Sequence, residues 1–531
     1  MSFDAIVIGS GFGGAISGCR LAEAGMKVLF LERGRRWDYQ PGPGVTPYPR
    51  EATDPWVWDQ NAPESHNGWL DLRVFRGMSV AQGAAVGGGS LIYANISVEA
   101  PAAVFQKGWP AELTKSELQP YYDCVAAFMD VKPLPANQWN PRIRLMQEGA
   151  QKIGAAGRFK QIPLAVNFRP DLVLDPANPP SKADTIFKPN KYGAMQGTCI
   201  HAGQCDIGCP VKAKNTLDVN YLAVAERKQG EVRPLHFVRR IEKMASRYRV
   251  YFDQIKDGEL IPGNEDAGIV IVAGGSLGST ELLLRCRDEF KTLPGISSRL
   301  GKNWSCNGDF LVPAYYENRE LCPEVGPTIN SAIDFLDRSR EGQSFWIEDG
   351  GMPPVFKHHM VATQSKGKGH PYGDLIGWLQ KEVQAENPLE KVMPWFAQGV
   401  DAGDAEFGLR RPWFFFGRKR LGLKWEITSS LPVFNAVINT HRELTQKTGG
   451  HALISPFWKE SLITPHPLGG CNLGNSAQDS VVDHMGRVFG YENLYVIDGS
   501  MIPTPLGVNP SRTIGALAER CAALIVQNQN A

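Results

Sequence analysis

The sequence predicts a two-part α/β protein, with a Rossmann-type nucleotide-binding half and a second half built on an antiparallel sheet. Three observations predict it. An apolar run at residues 4–8 leads directly into Gly9-Ser-Gly-Phe-Gly-Gly14. A second apolar run, Gly268-Ile-Val-Ile-Val-Ala-Gly-Gly275, again ends in glycines. Residues 311–461 are rich in aromatics and alternate in places between apolar and polar side chains, the period of a half-buried strand.

The opening unit justifies itself element by element. Residues 4–8 read as a buried parallel strand, Gly9–Gly14 as a turn, Ala15 to Ala24 as a helix and Met26 to Leu31 as a second strand. The glycines match G-x-G-x-x-G in the strand–turn–helix context that gives the pattern meaning. Gly9 suits the tight turn, Gly11 lets backbone approach a pyrophosphate, and Gly14 lets the helix pack close to the strand. Phe12 lies inside the same turn. Glu32 closes the unit about 20 residues on, where a carboxylate accepts hydrogen bonds from ribose hydroxyls. An acid here favours an unphosphorylated ribose, so the unit alone predicts FAD or NAD.

Further along, residues 41–69 read as an irregular excursion rich in Pro, Trp, Asp and Asn, and a second glycine cluster follows at Gly83 to Gly89. Helices are expected at Lys115 to Met129 and Arg142 to Gly154, joined by Pro-rich connections. The strand at 268–272 should be followed by a helix over Ser279 to Cys286, and the chain should end in a helix over Thr513 to Gln527. A chain of 531 residues exceeds one simple core, so two joined domains are expected.

Composition narrows the function classes. Lys and Arg number 56 against 55 for Asp and Glu, which excludes the electrostatic footprint of a dedicated nucleic-acid binder. The first residues carry no basic region, long apolar region or cleavage site, so a cytoplasmic protein is expected. No window reaches the roughly 18 apolar residues that a spanning helix requires. Ten cysteines spread along the chain fit reduced thiols rather than a disulfide scaffold.

The C-terminal part separates FAD from NAD. His466-Pro-Leu-Gly-Gly-Cys471, Gly486-Arg-Val, Asn493-Leu-Tyr-Val-Ile-Asp-Gly-Ser500, Gly507-Val-Asn-Pro510 and Ala516-Leu-Ala-Glu-Arg520 together resemble the glucose-methanol-choline (GMC) oxidoreductases. Within that family they look most like the cholesterol oxidase branch with noncovalent FAD. Gly87-Gly-Gly-Ser-Leu91 and Val272-Ala-Gly-Gly-Ser-Leu-Gly-Ser279 extend the resemblance to the beginning and middle of the chain.

The resemblance implies an FAD-binding domain assembled from discontinuous segments, 1–40, 70–100, 210–310 and 462–531. An α+β substrate domain with an antiparallel sheet would take 41–69, 101–209 and 311–461. It implies cofactor contacts at Gly9, Gly11, Phe12, Gly14, Glu32, Gly87, Gly88, Ser90, Asn95, Val238, Gly274, Asp498, Gly499, Asn509 and Pro510. A helix starting near Ser511 or Thr513 would aim its N-terminal N–H groups at the loop before it, which suits the negative charge of a reduced flavin. By motif position, His466 and Asn509 hold the substrate hydroxyl. Glu348, four residues before Met352-Pro353, is similar to the active-site glutamate of cholesterol oxidases, with Asp349 as its rival. Oxidation of a carbinol needs its O–H proton accepted as hydride leaves, and an imidazole or a carboxylate can accept it.

Two segments stand outside this core. Cys199, Cys205 and Cys209 form C-x5-C-x3-C, with His201 between them. Thiolates and imidazole can ligate zinc or an iron–sulfur cluster, but the spacing is standard for neither, and three unligated thiols is the reading adopted. Arg410 to Arg420 interleaves aromatics and cations. As an exposed loop it suits peripheral contact with anionic membrane; as a strand it supplies pocket wall or core, the reading favoured here. His358, His359 and His484 match no chemistry, and His484 is expected in an exposed turn.

The sequence therefore predicts oxidation of a hydrophobic secondary alcohol, sterol-like or alicyclic, to a ketone. No histidine lies in Gly83 to Ser90 to suggest a covalent flavin. Electrons pass to oxygen or to a quinone or protein acceptor. A dehydrogenase for a smaller alcohol and a non-redox flavoprotein such as a lyase stay open.

Overall fold

The computed structural model describes residues 3–38, 46–47, 56–353, 388–411, 419–456 and 458–530. Its first sheet has seven strands. In order across the path run Gly230–Arg233, Val28–Leu31, Phe3–Ile8, Glu259–Val272, Tyr248–Lys256 and His236–Lys243, with Leu494–Val496 also paired to Glu259–Val272. Pairing is parallel among 230–233, 28–31, 3–8, the end of 259–272 and 494–496. It is antiparallel across 236–243, 248–256 and the start of 259–272.

The 14-residue strand Glu259–Val272 thus serves two regimes. Its exposed first part closes an antiparallel meander, and its buried last part, Ile269 to Val272, lies inside the parallel nucleotide-binding sheet. Only that last part was anticipated, because apolar continuity marks strands buried on both faces and the half-exposed meander lacks it.

Helix Phe12–Glu23 buries Gly13 to Cys19, Leu21 and Ala22. The C-terminal helix Ser511–Asn530 packs on it through Gly515, whose Cβ position lies 3.1 Å from Ile16 Cδ1. Arg20 donates to both carboxylate oxygens of Glu519 at 2.7 and 2.8 Å, and the Tyr221 hydroxyl donates to Glu519 at 2.6 Å. This partly buried ion pair joins the first and last helices among the described residues.

The second sheet has six antiparallel strands in the order His451–Ala452, Phe310–Tyr315, Val392–Gly399, Gln343–Glu348, Ser331–Arg340 and Phe159–Gln161. It confirms the antiparallel sheet expected between 311 and 461. That span also holds a 17-residue helix, Leu431–Lys447, which the reading of the sequence as sheet had missed. Pro432 sits in its first turn, and Val433, Phe434, Val437, Ile438, His441 and Leu444 are buried at helical spacing. Helix Pro141–Lys152 starts as expected, with Asn140 accepting the Ile143 N–H at 3.1 Å.

Among the described residues, no helix is long and apolar enough to cross a membrane. Residues 412–418, the middle of the aromatic–cationic stretch, and His358 and His359 lie outside the described residues.

Candidate active site

In open parallel sheets a ligand sits beyond the carboxyl ends of the strands. Here four adjacent parallel strands end at Leu31, Ile8, Val272 and Val496. Directly after them come Gly9, Gly274, Asp498 and Glu32, four of the expected cofactor residues.

The turn after Ile8 is crowded by backbone. A Cβ on Gly13 would stand 1.7 Å from the Ile497 carbonyl oxygen, and one on Gly88 would stand 2.6 Å from the Gly11 Cα. The Ser10 hydroxyl fastens the two glycine loops, donating to Glu32 Oε2 at 2.7 Å and accepting the Gly87 N–H at 3.1 Å. Glu32 also accepts the N–H groups of Ser10 and Gly34 at 3.0 and 2.9 Å. Burial pushes its carboxyl up, and these donors pull it back. Phe12 meets Tyr93 edge-on at 5.5 Å. The helix starting at Phe12 has no side-chain cap, so its first N–H groups face outward unpaired by any side chain.

The other expected cofactor residues divide by what already occupies them. Ser90 is engaged: its hydroxyl donates to the Gly87 carbonyl at 2.7 Å and accepts the Leu217 N–H at 3.1 Å. Asp498 is engaged too. One oxygen accepts Gly275 N–H and Ser279 O–H at 2.8 and 2.5 Å, and the other accepts Ser500 N–H and O–H. Gly499 accepts the Gly469 N–H, and Val238 sits at an irregularity of the 236–243 strand. Asn95 differs from all of these. It is fully buried, and neither its amide nitrogen nor its amide oxygen has a protein partner. Such a group is costly unless a ligand or water satisfies it.

The three candidate catalytic side chains come from distant segments and meet. His466 follows the strand Ser461–Thr464, Asn509 precedes the 511–530 helix, and Glu348 ends the 343–348 strand. The Asn509 amide nitrogen lies 3.5 Å from His466 Nε2. The same amide lies close enough to Glu348 to favour its charged form. The Pro510 carbonyl accepts Ile514 N–H, so the helix begins immediately behind Asn509. Ser511 donates its hydroxyl to the Ile96 carbonyl rather than capping that helix.

Polar atoms in the cluster are left unpartnered or weakly engaged. His466 Nδ1 is held by Asp309 at 2.9 Å, which leaves Nε2 with the long Asn509 contact alone. Asn509 Oδ1 and Glu348 Oε1 are buried without a partner. The other Glu348 oxygen accepts from the Gln398 amide at 3.0 Å, and Gln398 in turn accepts from Trp346 Nε1. Burial pushes the Glu348 carboxyl well above the usual range, and Asp349 and Asp309 push it further. Phe396, paired with Glu348 across the sheet, stands 6.1 Å from the His466 ring.

Asp349 has a different occupation. It accepts from Arg142, from Asn330 N–H and amide, and from Ser331 N–H and O–H, all in full burial. Successive strand residues point to opposite faces, so the two neighbouring acids serve different neighbourhoods.

Asp309 and Gln398 were missed as site residues. Asn307-Gly308 before an apolar run marks a turn into a strand, but nothing local ties it to a histidine 157 residues away.

Among the described residues, no group of three or more His, Cys, Asp or Glu side chains is placed to hold a metal ion. Cys199 accepts the His201 N–H, Cys209 accepts the Ala213 N–H, and His201 Nε2 is hydrogen-bonded to Gln138. His484 is partly buried rather than exposed, with its carbonyl accepting from Arg520 at 2.8 Å.

Residues 429–518 match the family model described as GMC oxidoreductase. A cholesterol oxidase of Acinetobacter baumannii is 29% identical over 98% of this chain and 94% of its own length. A cholesterol oxidase of Mycobacterium tuberculosis is also 29% identical, over 98% of this chain and 91% of its own. Among solved structures, pyridoxine 4-oxidase from Mesorbium loti superposes with a TM-score of 0.64 at 16% identity, covering 98% of this chain and 99% of that one. A fungal aryl-alcohol oxidase superposes over the whole of both chains with a TM-score of 0.60 at 16% identity.

Proposed function

We propose, from the premise that this chain is a GMC oxidoreductase acting on alcohols, that it oxidises a hydrophobic secondary alcohol, sterol-like or alicyclic, to a ketone with noncovalently held FAD. The observation that carries the reading is the meeting of His466, Asn509 and Glu348, with Asn509 Oδ1 and Glu348 Oε1 left without a protein partner and His466 Nε2 engaged only by the long Asn509 contact. GMC oxidoreductases are flavoproteins, and the residues present fit the group. The Gly9–Gly14 turn and the open helix start behind it suit the pyrophosphate, Glu32 suits the ribose, and the unpartnered Asn95 amide offers a donor and an acceptor. When bound, FAD supplies the hydride acceptor.

The protein's own part is to bind the carbinol and take its proton. His466 offers Nε2 to the carbinol, its Nδ1 being hydrogen-bonded to Asp309. Nε2 accepts the hydroxyl proton, which makes the carbinol carbon a hydride donor. Asn509 orients the hydroxyl through its amide, since it cannot accept a proton usefully. Glu348, whose charged form burial disfavours, orients the substrate as a hydrogen-bonding group. Phe396 supports an apolar substrate beside this polar tip.

A sterol-like substrate is supported by the cholesterol oxidases among the relatives, and a long-chain-alcohol oxidase of Arabidopsis thaliana, 22% identical over 99% of this chain, supports an apolar one. Anaerobic mixing of the flavin-loaded protein with sterols, alicyclic alcohols and small primary alcohols tests the reading. Rapid bleaching by the first two classes supports it; bleaching by small primary alcohols alone moves the substrate, and no bleaching rejects the reading. Reoxidation by air against reoxidation by a quinone then identifies the acceptor.

A further inference from the structure

We infer that Asp309 is a positioning residue that fixes His466 in its Nδ1–H tautomer, and that the turn carrying it, Ser305 to Asp309, sets His466 and Asn509 against each other from one anchor. The inference rests on the reading of His466 as the proton acceptor. It deepens that reading by naming what prepares the base.

The geometry is specific. Asp309 is 1% exposed. Its two oxygens lie 2.9 and 3.1 Å from His466 Nδ1, and Oδ2 also accepts the Thr464 hydroxyl at 2.6 Å and the His466 backbone N–H at 3.2 Å. The Thr464 hydroxyl and the His466 backbone N–H both donate to this buried carboxyl group, and an ionised carboxylate only accepts. The imidazole proton is therefore drawn to Nδ1, and Nε2 keeps its lone pair on the Asn509 side. A carboxylate in this position also stabilises the imidazolium that forms when the base takes a proton.

The same turn holds the other half of the site. The Asn307 amide oxygen accepts the N–H groups of Leu506 and Gly507, both at 2.9 Å, and its nitrogen donates to the Val508 carbonyl at 2.9 Å. Three consecutive backbone groups before Asn509 are thus fixed by one side chain. The turn is itself tied down by Asp401, which accepts the Ser305 hydroxyl at 2.6 Å and the Cys306 N–H at 3.1 Å. Gly308 lies against backbone, where a Cβ would stand 2.4 Å from the Gly399 oxygen. Two catalytic side chains 43 residues apart thereby share one rigid support, which precise proton transfer requires.

The test is the pH profile of anaerobic flavin reduction by a bleaching alcohol, in the flavin-loaded wild type and in Asp309→Asn and His466→Ala. Asp309→Asn keeps size and removes the charge. It is expected to slow reduction at least tenfold at pH 7, with bound flavin retained, and to move the ascending limb to lower pH, because the imidazolium loses its stabilising carboxylate. His466→Ala separates the two claims. If it reduces flavin at the wild-type rate, the reading of His466 fails. If it is slow while Asp309→Asn keeps the wild-type rate and limb, the Asp309 inference fails and the reading of His466 stands. If Asp309→Asn does not fold, histidine-selective 15N NMR of the wild-type holoenzyme decides, with the His466 signal assigned by its loss in His466→Ala. A protonated Nδ1 and bare Nε2 are expected, and a protonated Nε2 at neutral pH overturns the inference.

Discussion

Gly88 and Gly11 meet backbone to backbone, with the Cβ position of Gly88 only 2.6 Å from the Gly11 Cα. Two glycine loops that are far apart in sequence therefore form one surface, and any side chain at Gly88 drives them apart. Gly88 also has a φ of +52°, a conformation other residues adopt at a cost. Gly88→Ala is expected to destabilise the fold by about 1–3 kcal/mol and to reduce retained flavin. The flavin-to-protein absorbance ratio after gel filtration, with a thermal scan, checks both. A variant with full flavin and an unchanged midpoint would separate these loops from cofactor binding.

Glu348 should trade stability for function. Its folded carboxyl is raised well above the ordinary value by burial, so between the unfolded and folded values the native state binds more protons than the unfolded state. Stability then falls as pH rises through that window. Glu348→Gln removes the effect while keeping shape. It should unfold at higher denaturant than wild type at pH 7, with the gap narrowing towards pH 4, and should reduce its flavin about tenfold more slowly through a misplaced hydrogen bond. Wild-type reduction rates in stopped flow would remove Glu348 from the site.

Asp349, one residue on, should behave in the opposite way. It is buried and paired with Arg142 at 3.1 Å. Asp349→Ala leaves that guanidinium without its counter-charge and is expected to cost about 3–5 kcal/mol in urea unfolding. A loss below about 1 kcal/mol would show that the backbone carbonyls around Arg142 suffice alone.

Acid should weaken the protein through a histidine outside the candidate site. His441, buried in the 431–447 helix with neither ring nitrogen bonded, is pushed down to about 3 by burial. The unfolded state therefore binds the extra proton, and stability is complete above about pH 6.5 and lost as pH falls towards 3. His201, lowered to about 4, acts in the same direction. His441→Leu should flatten the decline between pH 6.5 and 4.5 by up to about 1.4 kcal/mol per pH unit. An unchanged slope in urea titrations would assign the acid sensitivity to other groups.

These outcomes follow the division between what local sequence can encode and what only the fold assembles. The βαβ opening was legible because strand, glycines, helix and Glu32 lie within 32 consecutive residues, each constraining the next. The C-terminal helix and the 268–272 strand were legible from unbroken apolar spacing. The 431–447 helix was equally periodic, but the aromatic alternation around it masked the change of period. Telling the surroundings of Glu348 from those of Asp349 needed the sheet register, since adjacent strand residues face opposite ways. The pairing of Asp309 with His466 had no local signal at all. It exists because the 310–315 strand and the 461–464 segment are brought together by the fold, and hydrogen bonds between such segments leave no spacing to read.

The most direct test of the account is the rate of anaerobic flavin reduction by an alcohol in wild type and in His466→Ala at equal bound flavin. Wild type should bleach with a hydrophobic secondary alcohol, and His466→Ala should do so slower by on the order of 10²–10⁴-fold. Equal rates in the two proteins would contradict the account.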